Sequence, residues 1–526
     1  MLTIQHFKCC KSISLKLSNI FIIIVILLII SSNVFFSVEN AMSTDVSIAP
    51  IYSLDINLDY NQTSGIIKHF SEINCGPLPN HDVKNGVDLT NEYQDIGISF
   101  IRTHDFSGPT DISTIFPDWD ADPTLESSYD FTTSNQFITA IINAGCNVFY
   151  RLGESASPDK SLRNPPENMS KWAEVCKHIA MHYNDGWNNG YFYNITYWEI
   201  WNEPDIVGFW NGTAEDYYHL YHTTVETLKT YNPSLKVGGP CTSTITSTDY
   251  TTGFLSYLSD NNLPLDFFSW HQYADTPSQL FTSSKTVRNL LDTHGFTDCE
   301  NINTEWNINI LTPQRDKDND KNAAFTTCSI TALQDAYLDY AFRYRGTQDP
   351  NWLMRLIGFD LSLFAYNGVY KTPALAYLAM QYLTVNTPIR LTTPIMDASS
   401  GITYIAGISE DNTNVSILIS NYNAGDTSYH LELTNLPWDS TYTAAIYIID
   451  NSHHLDIIEQ NTLSTSTYTT TQTLKSSSVH FIRLTNTSII PDEGPTTARI
   501  PFLLRLKILD PFTRVLGIFL LILLFS

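Results

Sequence analysis

The stretch Tyr197-Trp198-Glu199-Ile200-Trp201-Asn202-Glu203-Pro204-Asp205 reads as a short buried strand that ends on an Asn-Glu pair held against a proline. Apolar residues at 197, 198, 200 and 201 suit a strand covered on both faces, as in a parallel sheet. Proline cannot continue a ladder, so the chain must turn there, leaving Asn202 and Glu203 at the strand's carboxyl end. A second segment, Ile302-Asn303-Thr304-Glu305-Trp306-Asn307, likewise brings a glutamate to a strand end. Hydrolysing a glycosidic bond through an oxocarbenium-like transition state needs two carboxyl groups, one to protonate the leaving oxygen and one to meet the anomeric carbon. Glu203 and Glu305 are the candidates.

Outward from these segments, from about Gly65, short apolar strands alternate with amphipathic helical stretches, the sign of βα units and a parallel sheet. Strands one to three are expected over 66–75, 98–105 and 147–154. Trp172, Val175, Cys176, Ile179, Ala180 and Tyr183 recur at three and four, one face of a helix that leads to strand four. A helix with Tyr217, Tyr218, Tyr221, Val225 and Leu228 on one face follows, stopping before Pro233. Strand five is expected over 235–240, strand six over 265–273, and strand seven carries Glu305. A helix over 323–342, strand eight within 352–364 and a helix over 373–383 close the set. Eight such units make an α/β fold, a (β/α)8 TIM barrel over 60–386, the economical reading. No glycine-rich phosphate fingerprint follows the first strand, which argues against a doubly wound sheet. In a barrel, polar residues at the carboxyl ends of strands gather at one mouth. Those residues here are Arg102, His104 and Asp105, Glu154, Asn202 and Glu203, His271 and Tyr273, and Glu305; Trp270 reads as core.

From about Thr387 the texture changes to Thr- and Ser-rich strands of alternating polarity, such as Asn414-Val415-Ser416-Ile417-Leu418-Ile419-Ser420. A smaller C-terminal β-sandwich is expected over 387–487, with a strand from 46–59 as a candidate addition.

Trp201-Asn202-Glu203-Pro204 and Thr304-Glu305-Trp306 resemble the acid/base and nucleophile motifs of the retaining glycosidase clan that places its two glutamates after barrel strands four and seven. With Ile101-Arg102-Thr103-His104-Asp105, Ser269-Trp270-His271-Gln272-Tyr273 and Tyr447-Ile448-Ile449-Asp450-Asn451-Ser452-His453-His454, the chain resembles glycoside hydrolase family 39 in particular, over roughly residues 60 to 485. That family includes β-xylosidases and α-L-iduronidases. The resemblance implies Glu203 as general acid and then base, and Glu305 as the nucleophile. It implies Asn202 on the sugar 2-hydroxyl, Tyr273 holding Glu305, and His104 and His271 lining the sugar subsite; Arg102 and Trp306 are further candidate substrate contacts, Arg102 being equally suited to orient a carboxylate. Strand three ends here in Arg151-Leu152-Gly153-Glu154 where the family pattern is more hydrophobic. Arg355 and Asp360 lie in the region that recognises a sugar carboxylate in iduronidase-like members. An endo-acting glycanase of the same clan and a non-catalytic carbohydrate-binding barrel are the competing readings, and the second predicts the loss of one carboxylate.

Lys and Arg total 29 against 54 Asp and Glu, a formal charge of -25, so the field of the protein opposes binding to nucleic-acid phosphates and favours a neutral oligo- or polysaccharide or glycoside. Aromatic residues make up 13% of the chain, an ample supply of stacking surfaces for sugars. The eight cysteines include no C-x-x-C pair and no zinc-ligand spacing, so no metal or other cofactor is expected. Basic Lys8, Lys11 and Lys16 followed by apolar residues from Ile20 to Ile30 read as a signal peptide or signal anchor over 1–45. The tail over 488–526 is a linker and an apolar run from Val515 to Phe525; as a helix that run spans about 16 Å, roughly half a bilayer core. An exported protein, extracellular or at the cell surface, is the expectation, with membrane association through these terminal segments as one option.

Overall fold

The computed structural model describes residues 52–486 apart from 78–87, 105–107, 156–158, 349–354, 356, 366 and 439–440. Eight parallel strands close into a barrel in chain order: β1 (Ile73–Asn74), β2 (Phe100–Arg102), β3 (Asn147–Leu152), β4 (Tyr197–Ile200), β5 (Lys236–Thr242), β6 (Phe267–Ala274), β7 (Glu300–Ile308) and β8 (Tyr340–Arg343). The helix Met169–Asn184 buries the Trp172–Tyr183 stripe and begins at Asn168, whose side chain accepts from the backbone N–H of Lys171. The helix Ala214–Tyr231 begins with a reciprocal Thr213/Asp216 capping box.

Side chains two apart on a strand share a face, and this periodicity builds the barrel interior in layers. Phe149, Tyr197, Phe267, Ile302 and Phe342 meet as an apolar plug, with Phe149 and Phe342 ring centroids 4.8 Å apart. One step further along the strands come Arg102, Arg151 and Glu199, two residues after Phe100, Phe149 and Tyr197. The charged layer therefore rests on a dry floor.

Two of the strand assignments are corrected. Barrel strand one is confined to Ile73–Asn74, because Thr63–Ile66 instead pairs with Ile389–Leu391 of the sandwich. Strand eight is Tyr340–Arg343, not a segment within 352–364, and the helix before it stops at Leu333. The connection over 334–339 contains neither Gly nor Pro, and a four-residue strand is too short to show a period, so the helical pattern reads on through it.

The C-terminal part is two sheets. One orders Tyr52–Asp59, Thr427–Thr434 and Tyr468–Leu474, the first pair parallel with Tyr52 opposite Thr427. The other has seven strands in the order His454–Leu463, Tyr442–Ile449, Ser478–Thr485, Asn414–Asn421, Ile402–Ile408, Ile389–Leu391 and Thr63–Ile66. Ile56, Tyr429, Leu431, Ile417, Ile446 and Ile482 belong to the apolar core of this part. Both terminal apolar segments lie outside the described residues, and among the described residues no helix is long and apolar enough to cross a membrane.

Candidate active site

Tyr197–Ile200 ends in a tight turn whose shape is set by non-glycine residues in the left-handed region, Trp201 at φ 74° and Glu203 at φ 45°. The Trp201 N–H donates to the Leu152 carbonyl of β3 (2.8 Å) and the Glu203 N–H to the Cys241 carbonyl of β5 (2.9 Å). The Trp201 indole is tucked outward beside Trp210 and donates from Nε1 to the Phe209 carbonyl. With its indole so fixed, the turn presents Glu203 to the mouth.

Glu305 arrives by a different device. Opposite Trp270 and His271 of β6 stand Asn303 and Glu305 of β7, so β7 carries one extra residue. Such a bulge re-aims a side chain. Thr304 and Glu305 consequently both reach the barrel interior, where Thr304 Oγ1 lies 3.7 Å from Cys241 Sγ. Glu305 Oε1 accepts from Arg102 Nη1 (2.9 Å) and Oε2 from the Tyr273 hydroxyl (2.7 Å).

Arg102 is the hub. Its Nε donates to Glu199 (2.6 Å), its Nη1 to Asn74 (3.0 Å) as well as Glu305, and its Nη2 to Asn202 Oδ1 (2.8 Å) and Cys241 Sγ (3.0 Å). Open by sequence to touching sugar or to orienting a carboxylate, it is fully buried with its donors spent on protein partners, two of them carboxylates. A planar guanidinium suits this task, because its donors form a rigid fork.

His271 Nδ1 lies 2.8 Å from Glu203 Oε1 and 3.7 Å from Glu305 Oε2. The nearest polar atoms of Glu203, His271 and Glu305 all fall within 4.8 Å of one another. Burial pushes the Glu203 carboxyl up to about 8, helped by the Asp205 charge and opposed by Arg102. Burial lowers the His271 ring, which therefore stays neutral at ordinary pH. His104 Nε2 is 3.8 Å from Glu305 Oε1. Its Nδ1 and the Asn202 Nδ2 are buried without a protein partner among the described residues. Two buried polar groups that nothing satisfies mark a place for a polar ligand.

The structure thus brings together Glu203, Glu305, Asn202, His104, His271, Tyr273 and Arg102, but not Trp306. With Glu305 turned inward, the next side chain of β7 points outward; Trp306 is fully buried under the helix Asp320–Leu333, donating to the Ala341 carbonyl (3.1 Å). Trp270 is core and donates to Asn301. Glu154 is occupied by the backbone N–H (2.9 Å) and hydroxyl (2.5 Å) of Ser113. Asp105 lies outside the described residues. Asp360 is buried, and although burial would raise it, Lys371 at 2.8 Å holds it lowered; Arg355 Nη1 stands 3.9 Å away. Glu199, Cys241, Asn74 and Asp205, which accepts from the backbone and hydroxyl of Ser243, were not singled out by sequence. Glu199 carried a usable signal: a charge at an inward strand position, two residues from Tyr197, demands a buried partner.

The family model for glycosyl hydrolases family 39 matches residues 54–349, more than half of the chain. The chain belongs to glycosyl hydrolases family 39. This family 39 chain is similar to a β-xylosidase from Geobacillus stearothermophilus, 25% identical over 300 residues that cover 49% of this chain and 58% of that protein. The match therefore spans little more than half of that relative. Among solved structures, a glucosidase from Croceicoccus marinus superposes with a TM-score of 0.72 at 25% identity, covering 84% of this chain and all of that one. A monomeric β-xylosidase from Caulobacter crescentus CB15 shares the fold, with a TM-score of 0.66 at 17% identity over 82% of this chain and 99% of that one. The two structural likenesses, each covering more than four fifths of this chain, run through both the barrel and the sandwich.

Proposed function

We propose that this chain is a retaining glycosidase that releases a sugar, with a xyloside as the first candidate substrate, by double displacement. The observation that carries the reading is the closeness of the two carboxyl groups, whose nearest oxygens lie within 4.8 Å. Retaining enzymes hold their carboxyls about 5 to 5.5 Å apart, whereas inverting ones leave about 6.5 to 9.5 Å for a water.

In the first step Glu305 attacks the anomeric carbon while Glu203 gives its proton to the leaving oxygen; the glycosidic bond breaks and a glycosyl ester on Glu305 forms. In the second, Glu203, now a carboxylate, takes a proton from water, whose oxygen displaces Glu305 and restores it. The environments suit the division of labour. A carboxyl raised to about 8 is protonated at neutral pH and fit to be an acid. Glu305, held by a cation and a phenol, is oriented for attack. The unsatisfied Asn202 Nδ2 is placed to donate to the 2-hydroxyl, and His104 Nδ1 to serve a further hydroxyl. The substrate class rests on the family and on the β-xylosidases among its similar proteins. Export to the cell surface is part of the proposal and rests on the terminal apolar segments of the sequence.

A screen of aryl xyloside, glucoside, galactoside, arabinoside and iduronide, followed by NMR of the anomeric product, tests the reading. Retention of configuration is expected, with loss of at least about 10³-fold in kcat for Glu305→Ala and partial rescue by azide. Inversion, or activity that survives Glu305→Ala without azide, would sink it.

A further inference from the structure

Double displacement gives the Cys241 thiol no role, although it touches Arg102, which holds Glu305, and His271, which faces Glu203. Its sulfur is 3.0 Å from Arg102 Nη2 and 3.0 Å from His271 Nε2; Asn202 Oδ1 and Thr304 Oγ1 are farther, at 3.7 Å. A guanidinium nitrogen can only donate, so the sulfur accepts from Arg102. Burial pushes the thiol well above its ordinary value, so it keeps its own hydrogen. The partner at close range that is able to accept that hydrogen is Nε2 of His271, since Asn202 Oδ1 is both more distant and already engaged by Arg102.

The other end of the ring gives an independent argument. Nδ1 faces Glu203 Oε1 at 2.8 Å and Glu305 Oε2 at 3.7 Å. A bare nitrogen lone pair there would be repelled by Glu305 Oε2, which already accepts from Tyr273, whereas an N–H is attracted to it and can donate to Glu203 Oε1 while that carboxyl keeps its proton on Oε2. Both ends of the ring are served by the same tautomer.

We propose that Cys241 is a positioning residue: by donating its S–H to Nε2 it holds His271 in the Nδ1–H form, which pins Oε1 of Glu203 and leaves Oε2 to carry the acidic proton. The final clause rests on the reading of Glu203 as the acid; the tautomer does not. Hydrogen-bond polarity then runs one way, from Arg102 through Cys241 and His271 to Glu203, and the same guanidinium grips Glu305. The Cys241 carbonyl also accepts from the Glu203 N–H, so one residue fixes the acid through its backbone and through its side chain. The charged groups bearing on the ring are Glu203, Glu305, Arg102, Glu199 and Asp205.

The test is ¹⁵N NMR of the full chain labelled at histidine, with the His271 signals assigned by their loss in His271→Gln. The wild type should show a protonated Nδ1 and a bare Nε2; Cys241→Ser, which keeps a donor and an acceptor, should preserve this. Cys241→Ala should show the Nε2–H form or a mixture. In that variant kcat/KM should fall about 10- to 30-fold for a glycoside with a poor leaving group and less than about threefold for one with an activated phenol. An Nε2–H signature in the wild type overturns the proposal whatever the variants do. So does a Cys241→Ala protein in which either the tautomer or the leaving-group dependence is unchanged. If Glu203 is not the acid, Glu203→Ala will lose activity equally on good and poor leaving groups while the wild-type His271 signature stays as described, which separates the two failures.

Discussion

Glu203 is held at φ 45° with its N–H bonded across to β5, a conformation that costs a non-glycine residue on the order of 1 to 3 kcal/mol and persists only where its surroundings dictate it. What this fixed placement achieves is a carboxyl whose proton is retained to about pH 8 by burial first and by Asp205 second. The sign for activity follows. An acid catalyst must enter the reaction protonated, so kcat/KM is expected to hold below about pH 8 and to fall as the pH rises through it. Asp205→Asn removes a charge that disfavours ionisation, so the alkaline limb should move to lower pH; a limb that stays in place would dissociate Asp205 from the acid. Besides Asp205, the titratable and charged groups near this carboxyl include His271, Glu305, Arg102 and Tyr273. At this scale the sequence was informative where chemistry is written locally. Trp201-Asn202-Glu203-Pro204 and Thr304-Glu305 each announce themselves within a few residues. The network that holds them is not local: Arg102, Glu199 and Cys241 come from β2, β4 and β5, and their meeting depends on closure of the barrel. Arg102 was visible as a polar strand end, but only its five partners show that it holds carboxylates and amides rather than sugar.

Elements place these residues through two departures from regular strand geometry. The extra residue in β7 turns both Thr304 and Glu305 inward and sends Trp306 out, and this is why a tryptophan adjacent to Glu305 is turned away from the barrel mouth. A single sequence gives no register, so the bulge is not legible in it, and Trp306 is a candidate contact there only by its place next to Glu305. Length also decided legibility. The helix Met169–Asn184 shows its period over four turns, whereas Tyr340–Arg343 has too few residues to show one, and its sequence runs on from the preceding helix without a break. Close approach of neighbouring strands sets a second local demand at β5, where a Cβ on Gly238 would stand 2.2 Å from the Phe267 carbonyl oxygen of β6. Backbone on both sides cannot yield easily. Gly238→Ala is therefore expected to destabilise the barrel by about 1 to 3 kcal/mol, seen as a lower denaturant midpoint, with the active-site hydrogen bonds of the surviving folded fraction unchanged. A midpoint equal to that of the wild type would refute the crowding argument.

The whole molecule is a barrel with a sandwich bonded to its flank. Arg390 makes two hydrogen bonds to Asp335 (2.8 and 2.9 Å), Ser420 Oγ donates to the Ala324 carbonyl, and Tyr422 packs on Phe325 while its hydroxyl donates to the Asp275 carbonyl in the loop after β6. The sandwich thereby braces the segment that follows His271 and Tyr273. Its own closure needs Tyr52–Asp59, which covers Thr427–Thr434 and contributes Ile56 and Leu58 to the core. A chain beginning at residue 60 should expose the edge of that sheet, melt at a lower temperature and aggregate more readily on heating. Unchanged melting would show that this strand is dispensable. The pairing of Tyr52 with Thr427 also sets a timetable for birth on the ribosome. A strand made before the barrel must wait for a partner made after it, roughly 20 to 75 s at about 5 to 20 residues per second. Throughout that interval the barrel can assemble while its leading strand stays unmatched, so a nascent chain stalled before residue 427 should carry residues 52–59 open to protease, and release should close them.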